Sequence, residues 1–401
     1  MSHIVVIGAG QAGAALVAKL RSSGFAGDIT LIGEESAPPY QRPPLSKGYL
    51  LGEMTRERLF LRPESYYAEN GIALRLGQTV TAIDTRQRTV ILGDDVIAYD
   101  QLALTTGSTP RRLPAAIGGD LPGVHVVRTL ADVDAMAPGV TAGRRVLIVG
   151  GGYIGLEAAA VCAKNGMQVT LVEMAERILQ RVACPQTSAY FRDLHAAHGV
   201  DIREGVGLTR LTGEARVSGA VLSDGSELAL DMVIVGVGIV PATGLAEAAG
   251  LDLDNGIETD AHGRTSDPHI WAAGDAASFP HKSGRIRLES VQNAIDQAEC
   301  VAANMMGAGE DYRPEPWFWS DQYDTKLQIA GLNTGYNEIV TRKTGDTLSF
   351  WYFAGESFLA VDAINDPRGY MVGKRLLSMG KSPVKAAVAD PATDLKALLK
   401  A

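Results

Sequence analysis

Short unbroken apolar runs recur through the first half of the chain, each closed by a glycine or an acid. Residues 3–7 (His-Ile-Val-Val-Ile), 29–33, 145–149 and 168–172 are of this kind. Runs of four to six aliphatic and β-branched residues bounded this way read as strands. The first and third lead straight into glycine-rich loops, followed by helical patterns through Ala15, Leu16 and Leu20 and over 156–165. Beyond residue 320 the texture changes. Runs at 326–332, 338–342, 348–353 and 358–364 read as strands, and turns at Gly345-Asp346 and Gly355-Glu356-Ser357 join the last three into an antiparallel meander. A helix near 369–379 is expected to cover one face. Another is expected to begin within Glu289 to Ala294 and run to about Met306.

The two loops are spelled alike. One reads Gly8-Ala9-Gly10-Gln11-Ala12-Gly13, and the strand after its helix ends in Glu34-Glu35. The other reads Gly150-Gly151-Gly152-Tyr153-Ile154-Gly155, and its next strand ends in Glu173. In such a unit the first glycine permits a tight turn, the second lets a pyrophosphate approach the backbone, and the third lets helix and strand pack closely. The helix N-terminus offers unpaired N–H groups to phosphate. The acid accepts hydrogen bonds from a ribose, and Glu173 would repel a 2′-phosphate, which favours NADH. Arg177 keeps NADPH open as a lesser alternative. One such loop is weak evidence, but two in full strand–loop–helix–strand–acid context are strong. Two cradles imply two nucleotides, FAD and a nicotinamide being the usual pair.

Composition narrows the rest. At 401 residues two or three domains are expected, and 46% hydrophobic with 21% charged residues is ordinary globular usage. The net charge of −9 argues against nucleic acid as a partner. No run of 18 apolar residues exists to span a membrane, and the N-terminus shows no signal-peptide pattern, so a cytoplasmic protein is expected. Cys162, Cys184 and Cys300 have no metal-ligand spacing and read as buried thiols. His195 and His198, three apart on a helix, read as surface residues, and no metal is expected. Nothing in the sequence reads out the oligomeric state, a monomer being the default.

Further motifs resemble the two-dinucleotide-domain flavoproteins of the glutathione reductase superfamily. They are Thr105-Thr106-Gly107, the segment from Ser266 through Trp271 to Gly274-Asp275, and Val235-Gly236-Val237-Gly238. Within that superfamily the chain resembles the putidaredoxin reductase-like ferredoxin reductases. The carrying segments are Arg42-Pro43-Pro44-Leu45-Ser46-Lys47, Gly150 to Glu157, Glu289-Ser290-Val291-Gln292-Asn293-Ala294, and Trp317-Phe318-Trp319-Ser320-Asp321-Gln322-Tyr323. The resemblance implies an α/β fold with two Rossmann-like dinucleotide-binding domains of three-layer ββα type, plus a C-terminal α+β domain with an antiparallel sheet. It divides the chain into a discontinuous FAD-binding domain (1–110 and 240–316), an NADH-binding domain (111–239) and a C-terminal domain (317–401).

The resemblance also implies roles. Disulfide reductases of the superfamily carry a cysteine pair where residues 40–47 here hold none, so disulfide reduction is excluded. Lys47 is expected one turn into a helix opened by Pro43-Pro44, beside the flavin N5 and paired with Glu157. Trp319 is expected against the isoalloxazine face. FAD is expected to meet Gly8, Gly10, Ala12, Gly13, Glu34, Arg42, Lys47, Val80, Thr106, Gly107, Arg128, Gly274, Asp275, Glu289, Ser290 and Val291. The nicotinamide nucleotide is expected at Gly150, Gly152, Tyr153, Ile154, Gly155, Glu157, Glu173, Gly236 and Gly238. The implied activity is NADH oxidation at FAD with single-electron delivery to a 2Fe–2S ferredoxin that serves an oxygenase. Rubredoxin or monodehydroascorbate reduction is an alternative, and an NADH-sensing interaction protein like apoptosis-inducing factor a more distant one. Arg285, Arg287, Lys326, Arg368, Lys374 and Arg375 are candidates for the docking patch.

Overall fold

The computed structural model describes residues 2–282 and 284–400. The chain forms two compact units, one of Met1–Arg42, Thr55–Thr109 and Ile239–Pro316, the other of Pro43–Met54, Pro110–Gly238 and Trp317–Ala401.

The first unit is built on a parallel sheet of five strands in the order Ile270–Ala272, Gln101–Leu104, His3–Ile7, Asp28–Gly33 and Ile72–Leu76. The run at 3–7 has no polar alternation because both of its faces are covered. Ile4 and Val6 pack with Leu16, Val17 and Leu20 of helix Gln11–Ser22 and with Ala298 and Val301 of helix Val291–Met305. Val5 and Ile7 point the other way, onto Ile83, Val90 and Leu92 of a three-stranded antiparallel meander. Burying each such side chain contributes about 1.5–3 kcal/mol. The result is a helix layer, a sheet and a meander.

The second unit repeats this plan. Its parallel sheet runs Asp201–Glu204, Gln168–Glu173, Arg145–Val149, Met232–Val235, Val124–Val126. Leu147 and Val149 pack on Leu211, Ala220 and Leu222 of the meander Leu208–Thr212, Gly219–Leu222, Glu227–Ala229. Its C-terminal part is an antiparallel sheet in the order Trp317–Gln322, Thr325–Gly331, Ser357–Ile364, Thr347–Ala354, Glu338–Thr344. Helix Pro367–Ser378 covers one face through Tyr370, Val372 and Leu376. That helix starts earlier than the glycine at 369 suggests, because Asp366 caps it by accepting from Gly369 N–H at 2.8 Å, with Pro367 in the first position. Strand Trp317–Gln322 lies outside the runs expected from sequence.

Candidate dinucleotide cradles and the lysine–glutamate pair

Each glycine of the first loop has a separate geometric reason. Gly8 sits at φ +111°, and a Cβ there would lie 2.2 Å from the Thr105 carbonyl oxygen, so no other residue fits. A Cβ at Gly13 would lie 2.0 Å from the Gly8 carbonyl oxygen, which seats the helix on its own loop. Around Gly10 nothing lies within 4 Å of that direction. Helix Gln11–Ser22 begins there with no side-chain cap, which leaves its first N–H groups for an anion. Such an open backbone under a bare helix start fits a pyrophosphate.

Most of the other residues expected at FAD lie in the same unit. Gly274, at φ +80°, brings its backbone against Ala12. The Ser108 hydroxyl donates to Asp275 Oδ2 at 2.9 Å. Thr106 Oγ1 donates to the Ala242 carbonyl at 2.7 Å, and Gly107 accepts from Ala242 N–H at 2.9 Å. Ser290 is the cap of helix Val291–Met305, accepting from Asn293 N–H at 3.2 Å. Glu289 pairs with Arg287, and Val80 is buried in the meander core. The acidic pair divides its work. Glu35 holds Arg42 at 2.7 Å and the Tyr40 hydroxyl at 2.5 Å. Glu34 is exposed and has no side-chain partner among the described residues.

The second loop matches the first atom for atom in kind. Gly150 lies at φ +106°, with a Cβ 2.5 Å from the Gly236 carbonyl oxygen; one at Gly155 would lie 2.0 Å from that of Gly150; Gly152 is open. Helix Tyr153–Lys164 starts without a side-chain cap. Ile154 is exposed at its first turn, and Gly238 lies at φ +99°. Here, however, the acid is engaged. Glu173 accepts from Gly151 N–H at 2.7 Å and from Ala175 N–H at 2.8 Å. Arg177 is directed to the Ser188 hydroxyl at 2.5 Å. This cradle too fits a diphosphate.

The second unit also contains the pair expected at positions 47 and 157. Pro43–Ser46 is a 3-10 turn rather than the start of an α-helix, and Lys47 follows it directly. Lys47 Nζ lies 2.6 Å from Glu157 Oε2. Glu157 is 2% exposed, and its carboxylate also accepts from Ser46 Oγ and Ser320 Oγ, each at 2.7 Å. Trp319 is half-buried, its ring centroid 5.4 Å from that of Trp317. Tyr153 packs its ring 4.7 Å from Phe318. Arg128 lies in the second unit, just before the Thr129 cap of helix Leu130–Met136.

His195 departs from expectation. It is fully buried rather than on the surface, because its ring nitrogens are taken by Gln322 and Tyr323 of the C-terminal sheet. Ser46, Ser320 and Gln322 belong to the quoted segments but carried no assigned role. Cys162 and Cys184 are buried, while Cys300 is half-buried. Burial lifts the Cys162 thiol to about 12, so it stays protonated and inert. Of the docking candidates, Arg285 is tied to Glu258 at 3.4 Å and Lys326 to Asp321 at 3.8 Å. No helix among the described residues is long and apolar enough to cross a membrane.

Two ββα units with glycine cradles, a C-terminal antiparallel sheet, and a lysine paired with a buried glutamate in place of a dithiol define a two-nucleotide reductase without a sulfur relay. Comparison with known proteins agrees. The chain belongs to the pyridine nucleotide-disulphide oxidoreductase family, whose profile matches residues 2–298, and the reductase C-terminal profile matches 317–399. Rhodocoxin reductase of Rhodococcus erythropolis is 42% identical over 98% of this chain and 93% of its own. A ferredoxin–NAD(P)(+) reductase of a Sphingomonas species is 44% identical over 98% and 96%. The reductase in the crystal structure of the covalent putidaredoxin reductase–putidaredoxin complex superposes with a TM-score of 0.96, at 39% identity over 100% of this chain and 98% of that one.

Proposed function

We propose that this chain is an FAD flavoprotein that oxidises NADH and passes electrons one at a time to a 2Fe–2S ferredoxin of an oxygenase system. What carries the reading is the pair of open cradles together with a cysteine-free segment at 40–47, in a chain that aligns end to end with ferredoxin reductases. FAD supplies the conversion between a two-electron donor and one-electron acceptors.

The chain's own residues do the rest. In the first unit the open side of Gly10 and the bare N–H groups of helix Gln11–Ser22 receive a pyrophosphate, Glu34 turns to a ribose, and Asp275, already oriented by Ser108, accepts from the ribityl chain. In the second unit Gly152 and helix Tyr153–Lys164 receive NADH, and Glu173 excludes a 2′-phosphate by its charge. Lys47, held by Glu157, places an ammonium where negative charge grows during transfer. Trp319 offers an aromatic face. We keep the functional division at 1–110 with 240–316 for FAD, 111–239 for NADH and 317–401 for the C-terminal domain. A cytoplasmic location suits an enzyme that draws on the NADH pool.

The test is direct. Purified protein should be yellow, lose its visible absorbance when mixed anaerobically with one equivalent of NADH, and regain it as two equivalents of a 2Fe–2S ferredoxin are reduced. Protein that cannot be loaded with FAD, or that bleaches yet passes electrons to no ferredoxin, would overturn it.

A further inference from the structure

Glu157 is the end of a hydrogen-bonded line that runs through the second unit to its surface. Ser320 Oγ lies 2.7 Å from Glu157 Oε1, and Gln322 Nε2 lies 3.1 Å from Ser320 Oγ. Gln322 Oε1 lies 2.8 Å from His195 Nε2, and the Tyr323 hydroxyl 3.1 Å from His195 Nδ1. Ser320, Gln322 and His195 are all 0% exposed. Tyr323 is half-buried, its ring stacked on that of exposed His198 at 3.6 Å, beside a surface recess also lined by Lys164 and Asp324.

Every donor along this line points the same way. A carboxylate only accepts, so Ser320 gives its hydrogen to Glu157. The Ser320 oxygen then takes a hydrogen from the amide –NH2 of Gln322, which turns the amide oxygen toward His195. His195 answers with Nε2–H, and its bare Nδ1 accepts from Tyr323. One buried acid thereby fixes a hydroxyl rotor, an amide orientation and a histidine tautomer in turn. Bonds aligned head to tail polarise one another, and here their positive ends face the carboxylate. Burial lowers the His195 ring to about 4, which keeps it neutral and able to accept. Tyr323 sits at φ +55°, a conformation that a bulky residue keeps only where its surroundings hold it.

We propose that Ser320, Gln322, His195 and Tyr323 are positioning residues that fix the Glu157 carboxylate, and through it set the place of the Lys47 ammonium. The proposal rests on the reading of Lys47 and Glu157 as part of the reductase site. Gln322 is the decisive link, because an isosteric change reverses it. With Gln322→Glu, both ends of the side chain accept. Ser320 then turns away from Glu157, which loses a donor and gains a like charge nearby, while His195 gains a proton.

Two measurements on the FAD-loaded protein decide the matter. In the wild type, 15N NMR of the histidine rings at neutral pH should show His195 as the neutral Nε2–H tautomer. The Nδ1–H tautomer, or a charged ring, reverses the line and overturns the proposal. In Gln322→Glu the His195 ring resonances should depart from the wild-type neutral Nε2–H pattern. Anaerobic reduction by NADH should slow about tenfold with KM for NADH little changed. Ser320→Ala, which removes the last donor without reversing the others, should slow reduction by a smaller factor and carries the test if Gln322→Glu does not fold. Wild-type reduction rates in the folded variants would defeat the proposal. Protein that takes up no flavin would defeat the functional reading instead, and the tautomer measurement would still decide this one.

Discussion

The two glycine cradles share a spelling and differ in how they treat their acids. In the first unit Glu34 is exposed and without a side-chain partner among the described residues, while its neighbour Glu35 takes Arg42 and Tyr40. In the second, Glu173 is single, and both its oxygens already accept from loop N–H groups at 2.7 and 2.8 Å. A free acid at a ribose site would turn to it only when the nucleotide arrives. A pinned acid braces its loop beforehand and holds its charge at one point. For a nucleotide that comes and goes each cycle, a preformed loop lowers the ordering cost of every binding event. For one that stays, that cost is met once.

Exchanging a valine into each cradle breaks this comparison most sharply. The Cβ directions of Gly10 and Gly152 are both open, so Gly10→Val and Gly152→Val should fold normally and fill the space meant for a pyrophosphate. Gly10→Val should purify colourless. Gly152→Val should stay yellow but need about 100-fold more NADH to bleach. A yellow Gly10→Val, or a Gly152→Val that titrates like wild type, means the assignments are wrong. Lys47→Met keeps the stem and removes the ammonium. Reduction in stopped flow should slow about 100-fold while the visible spectrum still reports bound FAD, and an unchanged rate removes Lys47 from the chemistry. Glu173→Arg should move the NADH/NADPH preference about tenfold toward NADPH. It also leaves two loop N–H groups unanswered, so NADH binding should weaken as well, and an unaltered ratio would mean the acid does not face the 2′ position.

Both cradles were legible in the sequence because strand, glycine loop, helix and closing acid lie within some thirty residues, although the carbonyls of Thr105 and Gly236 that demand glycine at 8 and 150 come from far along the chain. The edge strand Trp317–Gln322 was not. Its hairpin partner follows after Tyr323-Asp324, a turn without glycine that an aromatic residue makes in the left-handed region, so the usual hairpin signal is missing. Pro43-Pro44 suggested a helix, but the turn there is 3-10 and ends at Ser46. The Lys47–Glu157 pair joins positions 110 residues apart, and no local pattern announces it; a family resemblance did. His195 reads as a surface residue because, three from His198 on one helix, it has no ligand or partner within its own segment. It is buried by contacts from residues 322 and 323, which the spacing along its own helix cannot reveal.

The last expected effect separates two acids of the second unit, Glu157 and Asp362, that are almost wholly buried. Glu157 has an ammonium and two hydroxyls, whereas Asp362 has less. Asp362 Oδ2 accepts from Thr187 at 2.7 Å and from Tyr352, but Oδ1 has no hydrogen-bond partner among the described residues, and no cation there pairs with it. Burial raises its carboxyl from 3.8 to about 6. An acid raised on folding binds a proton in the folded state that the unfolded chain has already released. Its contribution to stability is therefore fullest at low pH and declines as pH rises from about 4 through about 6, by at most about 3 kcal/mol. Asp362→Asn removes this titration while keeping the shape. Its Tm should gain a few degrees on the wild type between about pH 4 and pH 7 and hold that lead above. Two melting curves that stay parallel across the range would show that Asp362 is as well answered as Glu157. The contrast between an acid answered by an ammonium and two hydroxyls and one with an unanswered oxygen would then disappear.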